Sequence, residues 1–146
     1  MREVNLKDKT FEIFISETEI DAIVHSVAKK ISESRIKNPL FIAVLNGSFL
    51  FAADVIRKIK IPNVEISFIK LSSYEGTNST GIVSELIGIN NDISGRNIIL
   101  LEDIIDTGVT LEKVIDLLKK EKAENIKIAA LLFKPEAYTK NIHIDF

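Results

Sequence analysis

Leu40-Phe41-Ile42-Ala43-Val44-Leu45 places six apolar residues in succession with no polar break. A strand with one face in water alternates, whereas an unbroken short run reads as a strand covered on both faces, the habit of a parallel sheet between helices. Val64–Leu71, Asn97–Leu101 and Ile126–Phe133 are expected to be its companions. The segments between them supply the covering layers. Ile20, Ile23, Val24, Val27, Ala28 and Ile31 recur with a 3.6-residue period, and Ser16-Glu17-Thr18-Glu19 ahead of them has the spacing of a capping box. Phe49 to Lys60 reads as a helix that Pro62 closes, and Gly108 to Lys120 as another, with Leu111, Val114, Ile115, Leu117 and Leu118 apolar. Strand and helix patterns alternate, which predicts an α/β fold with a mainly parallel central sheet flanked by helices.

The remaining segments are shorter. Thr10–Ile15 alternates Phe11, Ile13 and Ile15 as a short strand, and Val83–Ile89 is a further strand, followed by turn-like Asn90-Asn91-Asp92 and Ser94-Gly95. Ser72–Gly81 is polar and small and is expected to be a mobile loop. Asn141–Phe146 alternates Ile142, Ile144 and Phe146 as the start of a strand would. No repeat or linker interrupts 1–146, so a single domain is expected. His25, at the edge of the first helical stripe, reads as a surface histidine, and His143 has no assignable role.

Composition narrows the function. The chain has no cysteine, which removes disulfide, thiolate-zinc and thiol-nucleophile chemistry. Nineteen Lys and Arg against 21 Asp and Glu leave a net charge of −2, without the basic excess that nucleic-acid or membrane-surface binding needs. The apolar runs are far short of the ~20 residues of a membrane helix. The charged start, Met1-Arg2-Glu3 onward, has no signal-peptide pattern, so a cytoplasmic protein is the expectation.

The chemistry concentrates in Leu101-Glu102-Asp103-Ile104-Ile105-Asp106-Thr107-Gly108-Val109-Thr110. Ligands of open α/β sheets bind beyond the carboxyl ends of the strands, where this segment lies. Thr107-Gly108-Val109-Thr110 offers free N–H groups at a helix start and two hydroxyls, a cradle for phosphate. Glu102 and Asp103 would repel phosphate but suit ribose hydroxyls or Mg²⁺. Asp106, between the halves, is free to take or give a proton. The same residues are equally compatible with a capped helix whose first turn carries solvated acids. Neither a P-loop nor Gly-x-Gly-x-x-Gly is present.

Leu101 to Leu111 resembles the signature of type I phosphoribosyltransferases, and Glu102-Asp103-Ile104-Ile105-Asp106-Thr107-Gly108 its hypoxanthine-guanine form. Val44-Leu45-Asn46-Gly47-Ser48 to Asp54 is similar to the pyrophosphate-loop region. Ser72-Ser73-Tyr74 is similar to the start of the catalytic flexible loop, and Leu131-Leu132-Phe133-Lys134-Pro135 to the purine-contacting segment. The resemblance implies a type I phosphoribosyltransferase fold. It also implies transfer of 5-phosphoribosyl from phosphoribosyl pyrophosphate to hypoxanthine or guanine, giving IMP or GMP and pyrophosphate.

Carried over by position, Glu102 and Asp103 hold the ribose hydroxyls, directly or through water on Mg²⁺, the implied cofactor. Asp106, Thr107, Gly108, Val109 and Thr110 bind the 5-phosphate, and Asp106 is also the catalytic base or hydrogen-bond partner at purine N7. Leu45, Asn46 and Gly47 meet the pyrophosphate, with the Leu45–Asn46 peptide often cis in the family. Lys134 meets the purine 6-oxygen, and Ser73 and Tyr74 belong to a loop that closes as a lid. The implied partners are the donor and a 6-oxopurine base, with a homo-oligomer, dimer or tetramer, and no nucleic acid or membrane.

Family members also carry a further C-terminal segment with a purine-stacking ring, base contacts and an acidic Mg²⁺ ligand. This chain lacks it, so the hood is expected to be incomplete and the chain truncated. The alternative is a protein of the same fold that binds the donor but is catalytically impaired, a truncated form or a nucleotide-sensing regulator. A receiver-type signalling module would share the acids and Lys134-Pro135, but needs its acids on two different loops.

Overall fold

The computed structural model describes residues 3–72, 84–87 and 92–146. Two strands, β1 (Glu3–Leu6) and β2 (Lys9–Glu12), form an antiparallel hairpin. Then follow α1 (Glu17–Glu33), β3 (Leu40–Val44), α2 (Phe49–Lys58), β4 (Glu65–Ser72), β5 (Ser84–Ile87), β6 (Asn97–Ile105), α3 (Val109–Lys120) and β7 (Asn125–Phe133). The main sheet has the order β5-β4-β3-β6-β7. β3 pairs in parallel with β4 and β6, β6 pairs in parallel with β7, and β5 is antiparallel to β4.

Every residue of β3 is buried, as are Ile98 to Leu101 of β6. Their side chains divide between two cores. Leu40, Ile42, Val44, Ile98 and Leu100 pack with Leu111, Val114, Ile115 and Leu118 of α3. Phe41, Ala43, Ile99 and Leu101 pack with Val24, Val27, Ala28 and Ile31 of α1 and Phe51, Ala52 and Val55 of α2. The two-faced burial expected of Leu40–Leu45 is met over Leu40–Val44, with α1 and α2 on one face and α3 on the other, whereas β4 and β7 are only partly buried.

The capping box forms as expected: Glu19 N–H donates to Ser16 Oγ, while Ser16 N–H and Oγ–H donate to Glu19 Oε2 at 2.8 and 2.6 Å. Those two donors hold the Glu19 carboxyl below its ordinary range. His25 is exposed, as is His143.

Several boundaries differ from the sequence expectation. β6 runs to Ile105 instead of ending at Leu101, because its pairing with β7 continues through Glu102↔Ala130 to Ile105↔Phe133. The acids Glu102 and Asp103 are thus strand residues. The alternation at Thr10–Ile15 yields a strand only over Lys9–Glu12, paired with β1, whose Val4 and Leu6 likewise alternate with polar residues. Phe11 and Ile13 stay largely exposed, so that alternation does not mark a core strand. Of Val83–Ile89, the described part is β5; Val83, Ile89, Asn90 and Asn91 lie outside the described residues, as do residues 73–81 of the expected loop. Asn141–Phe146 forms no assigned strand. Its last residue nonetheless bridges β7 in the parallel pattern, Phe146 N–H donating to Ile128 O at 3.0 Å and Ala130 N–H to Phe146 O at 3.1 Å.

Because adjacent residues of β6 face different cores, Leu100→Ala and Leu101→Ala should each cost ~2–5 kcal/mol, the range for a buried leucine. Urea unfolding of both variants checks this. A change below about 1 kcal/mol in either would show that one face is solvated.

Candidate active site

The carboxyl ends of β3 and β6 are neighbours in the sheet, and the polar residues begin where the two strands leave the cores. After β3, Leu45 N–H donates to Ile69 O at 2.8 Å, and the chain turns through Asn46, Gly47 and the buried Ser48 into α2. Ser48 Oγ–H donates to Val44 O and fixes the turn. The Leu45–Asn46 peptide is cis, as the resemblance implies.

Gly47 meets Asp103 across the strands. A Cβ at Gly47 would lie 2.2 Å from Asp103 Oδ2 and 2.7 Å from its Cγ. The carboxylate occupies the space of the missing side chain, so any Cβ there would have to displace it.

Glu102, next to it, has Oε2 buried without a hydrogen-bond partner. Burial pushes its carboxyl from an ordinary 4.5 up to about 8, and the Asp103 carboxyl beside it adds to the rise. A buried, unpaired carboxyl oxygen beside a second acid fits a hard divalent cation. Among the described residues no cluster of three or more acids or histidines stands ready to hold a metal. Two acids suit Mg²⁺, which takes one or two protein carboxylates and completes its shell with water and substrate oxygens.

Beyond β6, Asp106 and Thr107 are exposed, and Gly108 caps α3 at φ +84°, ψ 2°. Val109 N–H donates to Thr107 Oγ1 at 3.4 Å. The first-turn N–H groups of Thr110 and Leu111 have no preceding helical carbonyl to meet. Glu102 and residues 104–111 line an open recess of about 90 Å³, room for a phosphate-sized group. The helix start contributes partial positive charge, and both threonine hydroxyls are at hand.

β7 delivers Lys134 to the same end. Its N–H donates to Ile105 O at 2.9 Å, and Nζ pairs with Asp106 Oδ2 at 3.1 Å, both side chains about half exposed. Glu102, Asp103, Asp106, Thr107, Gly108, Val109, Thr110, Leu45, Asn46, Gly47 and Lys134 thus all lie at one end of the sheet. Ser73 and Tyr74 lie outside the described residues. The sequence reading overlooked Tyr138, Thr139 and Lys140, which pack against the Thr107–Glu112 segment. No motif marks them; only the fold of the chain after Pro135 brings them there.

A family model described as phosphoribosyl transferase domain matches residues 16–146. The hypoxanthine phosphoribosyltransferase of Buchnera aphidicola (subsp. Schizaphis graminum) is 42% identical over 142 residues, which cover 94% of this chain and 79% of that protein. The hypoxanthine-guanine phosphoribosyltransferase of Streptococcus pyogenes serotype M3 is 42% identical over 137 residues, covering 92% and 76%. A crystal structure of a Bacillus anthracis hypoxanthine-guanine phosphoribosyltransferase superposes with a TM-score of 0.84 at 39% identity, covering 93% of this chain and 81% of that one.

Two measurements follow from the geometry. Glu102 holds its proton to about pH 8 when folded, while its unfolded carboxyl releases it near 4.5. The stabilisation from the neutral form is therefore complete below pH 4.5 and lost as pH rises through 8. Glu102→Gln, neutral at all pH, should match the parent near pH 4.5 and exceed its Tm by about 5 °C at pH 9. Parallel Tm–pH curves for the two proteins would contradict this.

Gly47→Ala should expel the Asp103 carboxyl from its seat. We expect affinity for phosphoribosyl pyrophosphate, the ligand the resemblance implies, to fall ~10-fold or more, a loss comparable to removing one charge-assisted contact. Titration calorimetry with phosphoribosyl pyrophosphate reads the change; unaltered affinity would show that Asp103 is not needed there.

Proposed function

The chain belongs to the phosphoribosyl transferase domain family, among its hypoxanthine-guanine phosphoribosyltransferases, and from that premise we propose how its residues divide the work. It is a purine-salvage phosphoribosyltransferase that moves 5-phosphoribosyl from phosphoribosyl pyrophosphate to hypoxanthine or guanine. The carrying observation is that a single strand end offers carboxylates on one side and a helix N-terminus on the other, with the Lys134–Asp106 pair beside both. Such a segment grips both ends of a ribose 5-phosphate.

In this reading the 5-phosphate sits in the recess at α3, taking N–H groups of Gly108, Val109, Thr110 and Leu111 and the hydroxyls of Thr107 and Thr110. The ribose hydroxyls face Glu102 and Asp103. The pyrophosphate lies along Leu45-Asn46-Gly47, where Asn46 and Gly47 are exposed and Gly47 adjoins Asp103. Glu102 and Asp103 would hold Mg²⁺, directly or through water, and the ion would supply neutralisation of the pyrophosphate charge.

The purine is read by the ion pair. Lys134 Nζ is a donor and Asp106 a carboxylate acceptor, 3.1 Å apart. The 6-oxygen and N7 of a purine are adjacent on one edge. A 6-oxopurine carrying its proton on N7 presents an acceptor to Lys134 and a donor to Asp106. Adenine would set its 6-amino donor against the lysine. As N9 forms its bond to C1′, the bond from C1′ to the pyrophosphate oxygen breaks, and Asp106 accepts the N7 proton. Positive charge on the sugar in the transition state is stabilised by the Asp103 carboxylate at the end of β6.

The chain also reads as one domain over 1–146, acting in the cytoplasm as a homo-oligomer, dimer or tetramer. Among the described residues no helix is long and apolar enough to cross a membrane.

Replacing Asp106 by Asn tests the central role. We expect kcat to fall ~10²–10⁴-fold, the scale of a positioned acid–base group, with donor affinity nearly unchanged. Steady-state assays with hypoxanthine and direct donor titration separate the two quantities; an unchanged kcat would remove Asp106 from the chemistry.

A further inference from the structure

The segment after β7 folds back along the phosphate recess without entering it. Lys134 to Tyr138 makes a turn, with Ala137 N–H on Lys134 O at 3.2 Å and Tyr138 N–H on Pro135 O at 3.4 Å. Tyr138 then lies edge-on to Phe133, ring centroids 5.2 Å apart, and its hydroxyl donates to Ile142 O at 2.8 Å. This braced turn sets Thr139 against the chain before α3. Thr139 N–H and Oγ1–H both donate to one acceptor, Thr107 O, at 3.2 and 3.1 Å. Lys140 Nζ closes the contact with Glu112 Oε2 at 2.6 Å.

The need for two donors on one carbonyl follows from Gly108. A Cβ there would lie 2.5 Å from Tyr138 Cε2 and 2.8 Å from Lys140 Cγ, and its φ is +84°, so any side chain there would be strained and would have to push Tyr138 and Lys140 aside. Glycine, however, leaves the 107–108 peptide plane free to rotate. Thr107–Gly108 is trans, since Leu45–Asn46 is the cis bond among the described residues, so the Thr107 carbonyl and the Gly108 N–H point in opposite directions. None of Lys134–Lys140 lines the recess. With the carbonyl held toward Thr139, the Gly108 N–H is turned away from that segment and toward the recess. A flipped plane would direct a carbonyl oxygen at the bound phosphate instead.

We propose that Thr139 is a positioning residue for the donor's 5-phosphate: it locks the 107–108 peptide so that the Gly108 N–H serves as a phosphate donor. This rests on the assignment of the α3 recess to the 5-phosphate. Thr139 touches no substrate in this scheme, and acts through the Thr107 carbonyl alone.

The test compares Thr139→Val, which keeps the shape and loses Oγ1–H, with Thr139→Ser, which keeps the hydroxyl. Both are measured for ribose 5-phosphate affinity, for KM of donor and of hypoxanthine, and for Tm. Loss of one hydrogen bond should weaken ribose 5-phosphate ~3–10-fold and raise the donor KM by a similar factor in the valine variant. The hypoxanthine KM and kcat should hold, and serine should restore both phosphate terms.

A rise in the hypoxanthine KM as large as that of the donor would overturn the proposal. Lys134 lies on the same segment, and a merely loosened segment would disturb it too. Ribose 5-phosphate affinity unchanged in Thr139→Val would also overturn it. Thr110→Val separates the underlying assignment. If it weakens ribose 5-phosphate while Thr139→Val does not, the recess is the phosphate site and Thr139 has no part in it. If wild type fails to bind ribose 5-phosphate, or Thr110→Val leaves binding intact, the recess assignment and the proposal fall together.

Discussion

β3 and β6 lie side by side between α1 and α2 on one face and α3 on the other, so no position along their buried length can carry charge into water. Charge is admitted only where these strands emerge. Glu102 and Asp103 occupy the first positions of β6 beyond its buried stretch, and Asn46 and Gly47 follow directly on β3. The parallel pairing makes these exits adjacent. Two chain segments more than fifty residues apart therefore come together so closely that Asp103 fills the space beside Gly47. The location of the site is a consequence of how the core excludes polar groups.

Electrostatically the site is uneven. Glu102, half-buried in the strand, is held neutral by its surroundings to about pH 8. A second full negative charge is thereby kept away from Asp103 while the site is empty. Lys134 and Asp106, at the exposed rim, pair with each other. In the proposed reading, the same pair that neutralises the rim meets the base. The recess at α3 has no cationic side chain among its lining residues and offers helix-start N–H groups and hydroxyls.

The sheet, its helices and the segment from Glu102 to Thr110 were legible because each rests on a local pattern: unbroken apolar runs, a 3.6-residue stripe with a capping box, acids followed by a Gly-containing helix start. What escaped the sequence was whatever depends on distant chain. β6 extends to Ile105 because β7 continues alongside it, and Ile104, the exposed member of that extension, gives no local hint. β1, only four residues from Glu3 to Leu6, exists as the partner of β2. Phe11 and Ile13 alternate as a core strand would, yet remain exposed. Thr139 carries no pattern at all; its significance comes from the single carbonyl it meets thirty-two residues earlier.

The bridge between Phe146 and β7 has a bearing on how the molecule behaves in company. β7 is the last strand of its sheet, and an open strand edge is a template for pairing with another chain. Here Phe146 occupies Ile128 O and Ala130 N–H, and the Asp145 carboxylate takes the Ile128 N–H at 2.9 Å while paired with Lys127 at 2.7 Å. A charge turned in against the edge and a short capping stretch together blunt it. Any strand pairing at these positions would have to displace an ion pair as well as backbone bonds.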